Sequence, residues 1–229
     1  MRDLSLIIGR EDVNDVELIA EMNPDPDEVL HAVKDQADAL FTWDYSKGKR
    51  PQLDKLYEKA KRSQWNASEL EWDTPVDREN VFSFVGDAQR SDHWTKKGSP
   101  THSWGQEEWD MFALESFAWR LSQFIHGEQG ALLCTAKIVE TVPWIDAKYY
   151  AATQVVDEAR HVEVFHRYLD EKVGIHYPIN RHLQLLLDDI INDSRWDMTY
   201  LGMQIMVEGL ALAAFSMMHA VVEEPLLKK

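Results

Sequence analysis

One proline, Pro143, lies between Glu128 and Glu158, and it stands midway between them. Proline cannot continue a helix, so Glu140-Thr141-Val142-Pro143-Trp144 reads as a turn joining two helices. If one helix climbs from Glu128 to that turn and the next descends from it, each travels about 15 residues, roughly 22 Å. Both glutamates then return to the same height in an antiparallel pair. Strand signals are scarce elsewhere, and the fold class that follows is all-α, a helical bundle.

The second glutamate belongs to Asp157-Glu158-Ala159-Arg160-His161. Positions i and i+3 share a helix face, so Glu158 and His161 project together, one turn apart. A carboxylate can bridge two cations while the imidazole binds one of them, which makes this spacing suited to a metal. On an acidic helix Glu-x-x-His arises readily by chance, and alone it describes two exposed charges. Glu128 changes the balance. Phe117, Leu121, Phe124, Leu132 and Thr135 fall within about 40° of it on a helical wheel, so the carboxylate interrupts an apolar stripe. An unpaired charge there costs several kcal/mol, a penalty that a bound cation removes.

Glu128, followed after a long interval by Asp-Glu-x-Arg-His, resembles the ligand pattern of the ferritin-like di-iron carboxylate proteins. It looks especially like the bacterial oxygenases among them, the multicomponent monooxygenase hydroxylases and arylamine N-oxygenases, over roughly residues 107 to 222. In that family a third helix carries a lone glutamate. Glu208 fits the place, with Leu201, Ile205, Leu212 and Phe215 on its face.

The resemblance implies a bundle of the kind found in ribonucleotide reductase small subunits and two Fe ions, with manganese possible in the same ligands. Glu128 and His161 would hold one iron, Glu158 would bridge, Glu208 would serve the second iron, and Asp157 would orient a metal-bound histidine on a partner helix. The pocket beside the metals would be walled by Phe124, Ala131, Leu132, Phe165, Ile205, Leu212 and Phe215. Phe165 stands where many reductase subunits place a radical tyrosine and has no hydroxyl to oxidise. Leu212 stands where the hydroxylases usually have threonine, which departs from their pattern. A fourth ligand helix is missing. Reflecting Glu208 through Pro225 puts the expected glutamate near position 242, beyond Lys229, and Glu223 to Lys229 reads as the opening of that helix.

The function implied is a non-haem di-iron oxygenase or oxidase that activates O2 and oxidises a small apolar or aromatic substrate. No flavin or nicotinamide fingerprint is present, so the electrons would come from an external donor protein. A homodimer is expected. The alternatives are a ferritin-like iron-binding or storage protein and a metal-free structural bundle.

Composition bounds these readings. Of 229 residues 45% are hydrophobic, enough for a sizeable core. Lys plus Arg total 24 against 40 Asp plus Glu, a net charge of -16, which disfavours nucleic acid and anionic membranes as partners. One cysteine, Cys134, excludes an intramolecular disulfide, and a cytoplasmic location is the default. The apolar patch Leu4 to Ile8 is too short for a signal peptide or membrane span, and no other run is expected to cross a bilayer.

Two domain segments are expected. Residues 1–105 form an N-terminal extension with helices over about 27–45 and 51–64, and the stretch from Gly86 to Gly105 reads as a loop. Residues 106–229 form the bundle, packed as one domain with the extension. Its helices run over about 107–139, from 143 or 146 to 173, over 180–192 and over 195–222. His126, His166 and His219 fall off the ligand face or too far along the axis. Cys134 and the nine tryptophans read as packing residues.

Overall fold

A computed structural model describes residues 31, 33–76 and 92–229. The expectations for residues 1–30, and for the part of the loop from Gly86 to Ser91, lie outside the described residues. The described chain is helical, and its one bridge between extended residues, Lys97 with Ser99, belongs to no strand.

Helix α1, Pro51–Arg62, opens on proline and closes on Lys59, Lys61 and Arg62, which complement the carboxyl end of its dipole. A 3-10 turn at Ala67–Glu69 and a helical turn at Asp92–Thr95 precede the bundle. Helix α2, Gln106–Thr141, has 36 residues, and the Glu108 carboxylate accepts from Gly105 N–H at its start, 2.8 Å. Helix α3 runs over Ile145–Tyr168 and widens into a π turn at Leu169–Val173. Gly174 ends it in the left-handed conformation, φ 75°. Helix α4, Arg181–Asn192, is capped by Asn180, whose side chain accepts from His182 and Leu183 N–H. Helix α5, Trp196–Val221, is α-helical at both ends and π-helical over Tyr200–Val207.

Helices α2 and α3 form the predicted antiparallel pair around Pro143. The first core cluster lies between them: Ala113, Phe117, Ala118 and Leu121 of α2 meet Tyr168, Leu169 and Val173, with Trp72 and Leu226 sealing the end. A second cluster, Ala131, Cys134, Leu187, Ile190 and Met203, joins α2, α4 and α5. Two glycines permit this junction. A β-carbon on Gly130 would lie 2.6 Å from Leu187 Cδ2, and one on Gly202 would lie 2.9 Å from Ile190 Cγ1, so α4 seats one branched side chain on each neighbouring helix. Buried Lys137 donates to the carbonyls of Ile191, 2.6 Å, and Asp193, 2.5 Å, fastening the carboxyl end of α4 to α2. Two hydrogen bonds tie the entrance of α1 to α3: buried Asp146 accepts from Gly48 and Arg50 N–H.

Three expectations are corrected. The helix over 27–45 is absent from its described part, since residues 33–46 run without helix. Contacts to other elements replace helical hydrogen bonds there: Leu40 N–H donates to Glu140 O, 2.9 Å, Lys34 O accepts from Asn192, 2.8 Å, and Asp35 pairs with Lys137, 2.9 Å. The segment after Val222 is a turn, not the opening of a helix. Glu224 accepts from Leu226 and Leu227 N–H and from the Tyr168 hydroxyl, and Leu226 is buried. Finally, α5 is long and apolar enough to cross a bilayer by length and composition, and little of it is buried in the protein.

The glycines of α2 give opposite expected outcomes. Gly127→Ala meets nothing within 4 Å and should stabilise by about 0.5–1 kcal/mol through helix propensity. Gly130→Ala gains the same propensity but drives into Leu187, an overpacking cost of roughly 1–3 kcal/mol, so its net effect should be destabilising. Urea denaturation of the two variants checks the signs.

Candidate metal centre

The carboxylate of Glu128 on α2 faces Glu158 and His161 on α3. The burial expected of the two glutamates is observed. His161 Nδ1 lies 3.0 Å from Glu128 Oε2 and 3.1 Å from Glu158 Oε2. Ligand atoms of all three residues lie within 4.8 Å of one another. Neighbouring donors on an octahedral cation with bonds of about 2.1 Å are separated by about 3 Å, so the two histidine distances fit one shared ion. One imidazole nitrogen and two carboxylates make a hard, anionic donor set suited to manganese, iron or zinc.

Without a cation, hydrogen bonds and charges within the cluster favour a protonated His161. Burial works to lower the His161 pKa, but hydrogen bonds to Glu128 and Glu158 and their charges outweigh it, raising the group to about 10. Burial pushes Glu158 upward; its hydrogen bond to His161 opposes the rise, and the neighbouring Glu128 carboxyl adds to it. An imidazolium between two glutamates therefore occupies the electrostatic role that a metal would take over.

Glu208 approaches from α5 but is not one of the three clustered residues. Its Oε1 accepts from Gln204 Nε2, 2.7 Å. Burial, then the charges of Glu158 and Glu128, raise its pKa to about 7. Asp157 pairs with Arg160, 2.7 Å. The wall residues divide. Phe124, Phe165 and Phe215 pack ring to ring, with centroids 4.9–6.0 Å apart, and Leu132 is half-buried. Ala131 is instead buried in the cluster with Leu187 and Met203, and Ile205 and Leu212 are exposed. The π turn of α5 rotates its register, which carries Met203 inward and Ile205 outward. The histidines read as off the site are occupied elsewhere: His126 with Tyr177 O, His219 with Lys228 O, and His166 against the His176 ring. Burial raises the Cys134 thiol to about 12, leaving it a packing group.

Sequence reasoning missed two supports of the site. Trp65 stacks on the His161 ring at 6.2 Å, and Arg160 holds it there, lying 5.1 Å from the indole centroid and donating to Trp65 O, 2.6 Å, and Gln64 Oε1, 2.9 Å. No sequence periodicity links residue 65 to residue 161. The second support is a layer of Thr135, Gln154 and Gln204, whose signal was legible: a glutamine stands one turn before each of Glu158 and Glu208.

No family model, curated protein or solved structure matches this chain.

The raised carboxyl of Glu208 gives a signed pH dependence. Its folded pKa, about 7, exceeds the value of 4.5 expected of an unperturbed glutamate, so between these limits the folded state binds more proton and stability falls as pH rises. Comparing metal-free wild type with Glu208→Gln, the wild-type melting temperature should decline relative to the variant between pH 4.5 and 7. Parallel pH profiles would remove Glu208 as the titrating group.

Proposed function

We propose that this chain belongs among the ferritin-like di-iron carboxylate proteins and acts as a non-haem oxygenase or oxidase. The observation carrying this reading is the convergence of Glu128, Glu158 and His161 from an antiparallel helix pair, with Glu208 approaching on a third helix. That arrangement combines a buried anionic donor set with the Glu-x-x-His step of bundle metal sites. Glu128 and His161 would hold one iron, Glu158 would bridge, and Glu208 would serve a second. Ferrous ions, when bound, supply the reduction of O2 and the oxidation of substrate.

The residues around the ions supply position and exclusion. The Phe124, Phe165 and Phe215 rings form an apolar wall that suits a small apolar or aromatic substrate and keeps water from the metals. Phe165 offers no hydroxyl for a stored radical. Electrons would come from a separate donor protein, and the protein would work as a homodimer in the cytoplasm.

One observation favours a second reading. Nδ1 of His161 sits at hydrogen-bond distance from both carboxylates, a satisfied ion triad that could serve a structural bundle without metal.

Metal analysis of protein produced with iron separates the readings. Bound iron is expected, with its loss in Glu158→Ala while helical circular dichroism persists. One ion per chain would replace the di-iron centre by a mononuclear one. No transition metal would favour the structural triad, and iron far above two per chain would favour storage.

A further inference from the structure

Thr135, Gln154 and Gln204 reach from α2, α3 and α5 into one hydrogen-bonded layer, displaced along the helices from the ligand cluster. The Gln204 carboxamide is fully engaged. Its Oε1 accepts from Gln154 Nε2, 2.8 Å, while its Nε2 donates to Thr135 Oγ1, 3.0 Å, and to Glu208 Oε1, 2.7 Å. With Glu208 ionised, reversing the amide would aim its oxygen at the carboxylate, so that charge state favours this orientation. Thr135 has no exposed surface.

Polar groups at a helix interface have a desolvation cost that apolar packing would avoid. Here the layer ends on a specific atom, Oε1 of Glu208, a carboxylate that feels the charges of Glu158 and Glu128. Glu208 is repelled by Glu128 and Glu158, and its long side chain has rotamers that carry it away from them. A hydrogen bond to Oε1 restrains that motion and leaves Oε2 to meet a cation.

We infer that Gln204 is a positioning residue: backed by Thr135 and Gln154, its carboxamide presents Glu208 as a further ligand to a cation held by Glu128, Glu158 and His161. The inference rests on the metal-binding reading above and adds a residue outside the set of expected ligands. Gln204 acts through Glu208, so its contribution exists only while Glu208 is present.

Cobalt(II) binding, followed by its visible absorption at fixed pH, tests this with a double-mutant cycle. Gln204→Leu should weaken affinity on the order of tenfold and alter the cobalt spectrum in the same way as Glu208→Ala. In the Glu208→Ala background, Gln204→Leu should have no further effect. Thr135→Val, which leaves Gln204 in place, should give a smaller loss with the same dependence on Glu208, and it retains the test if Gln204→Leu fails to fold. Additive losses, or unchanged affinity in folded Gln204→Leu, would overturn the inference while leaving the metal site intact. Wild-type protein that takes up no cobalt, or binding indifferent to Glu158→Ala, would overturn the metal-binding reading and this inference with it.

Discussion

Two glutamates buried between α2 and α3 are the constraint around which the bundle is arranged. Charges taken out of water need compensation, and the hydrophobic clusters that flank them cannot provide it. His161 does so from within the same helix pair, one turn beyond Glu158 and level with Glu128. The proton it carries in the metal-free protein and the cation it could bind thus compete for one set of lone pairs. A single geometry therefore serves two electrostatic states.

The register of the helix pair was legible because it depends on local rules. A proline midway between two carboxylates and apolar residues with helical period placed α2, α3 and α4 to within a few residues. The face of α5 was not legible in the same way. A wheel with 3.6 residues per turn puts Ile205 beside Glu208, but the chain from Tyr200 to Val207 follows a wider turn. Met203 is buried there while Ile205 faces out. No single residue announces a π turn; it arises where packing against α2 and α4 favours another phase. Trp65 illustrates the other limit. Its stacking on His161 joins residues nearly a hundred positions apart, and only the folded chain brings them together.

Helix α5 meets two opposed demands. Gly202, Met203, Gln204 and Glu208 connect it to the bundle, whereas Leu210, Leu212 and Met217 lie more than two-thirds exposed. A helix apolar all round is ordinarily buried on every side or surrounded by lipid. The polar residues of α5 argue against lipid along the inner side, since Gln204 and Glu208 are committed to partners on α2 and α3 or to each other. Its inner and outer faces thus answer to different environments.

The approach to the ligand cluster is asymmetric as well. Glu128 and Glu158 are buried, but the side chain of His161 keeps 40% of its surface exposed, so the imidazole is the most open member of the site. Trp65 lies on that ring, and its position is not left to stacking alone. Arg160 is held by Asp157 on one side and by the Trp65 and Gln64 oxygens on the other, while its guanidinium rests over the indole. Each charge-assisted contact limits the freedom of the next. The chain after α1 thereby acts as an outer wall for a residue on α3, and Asp157 contributes by anchoring that wall through Arg160. The Arg160–Trp65 contact therefore covers part of the His161 ring, while Phe124, Phe165 and Phe215 are fixed by packing on one another.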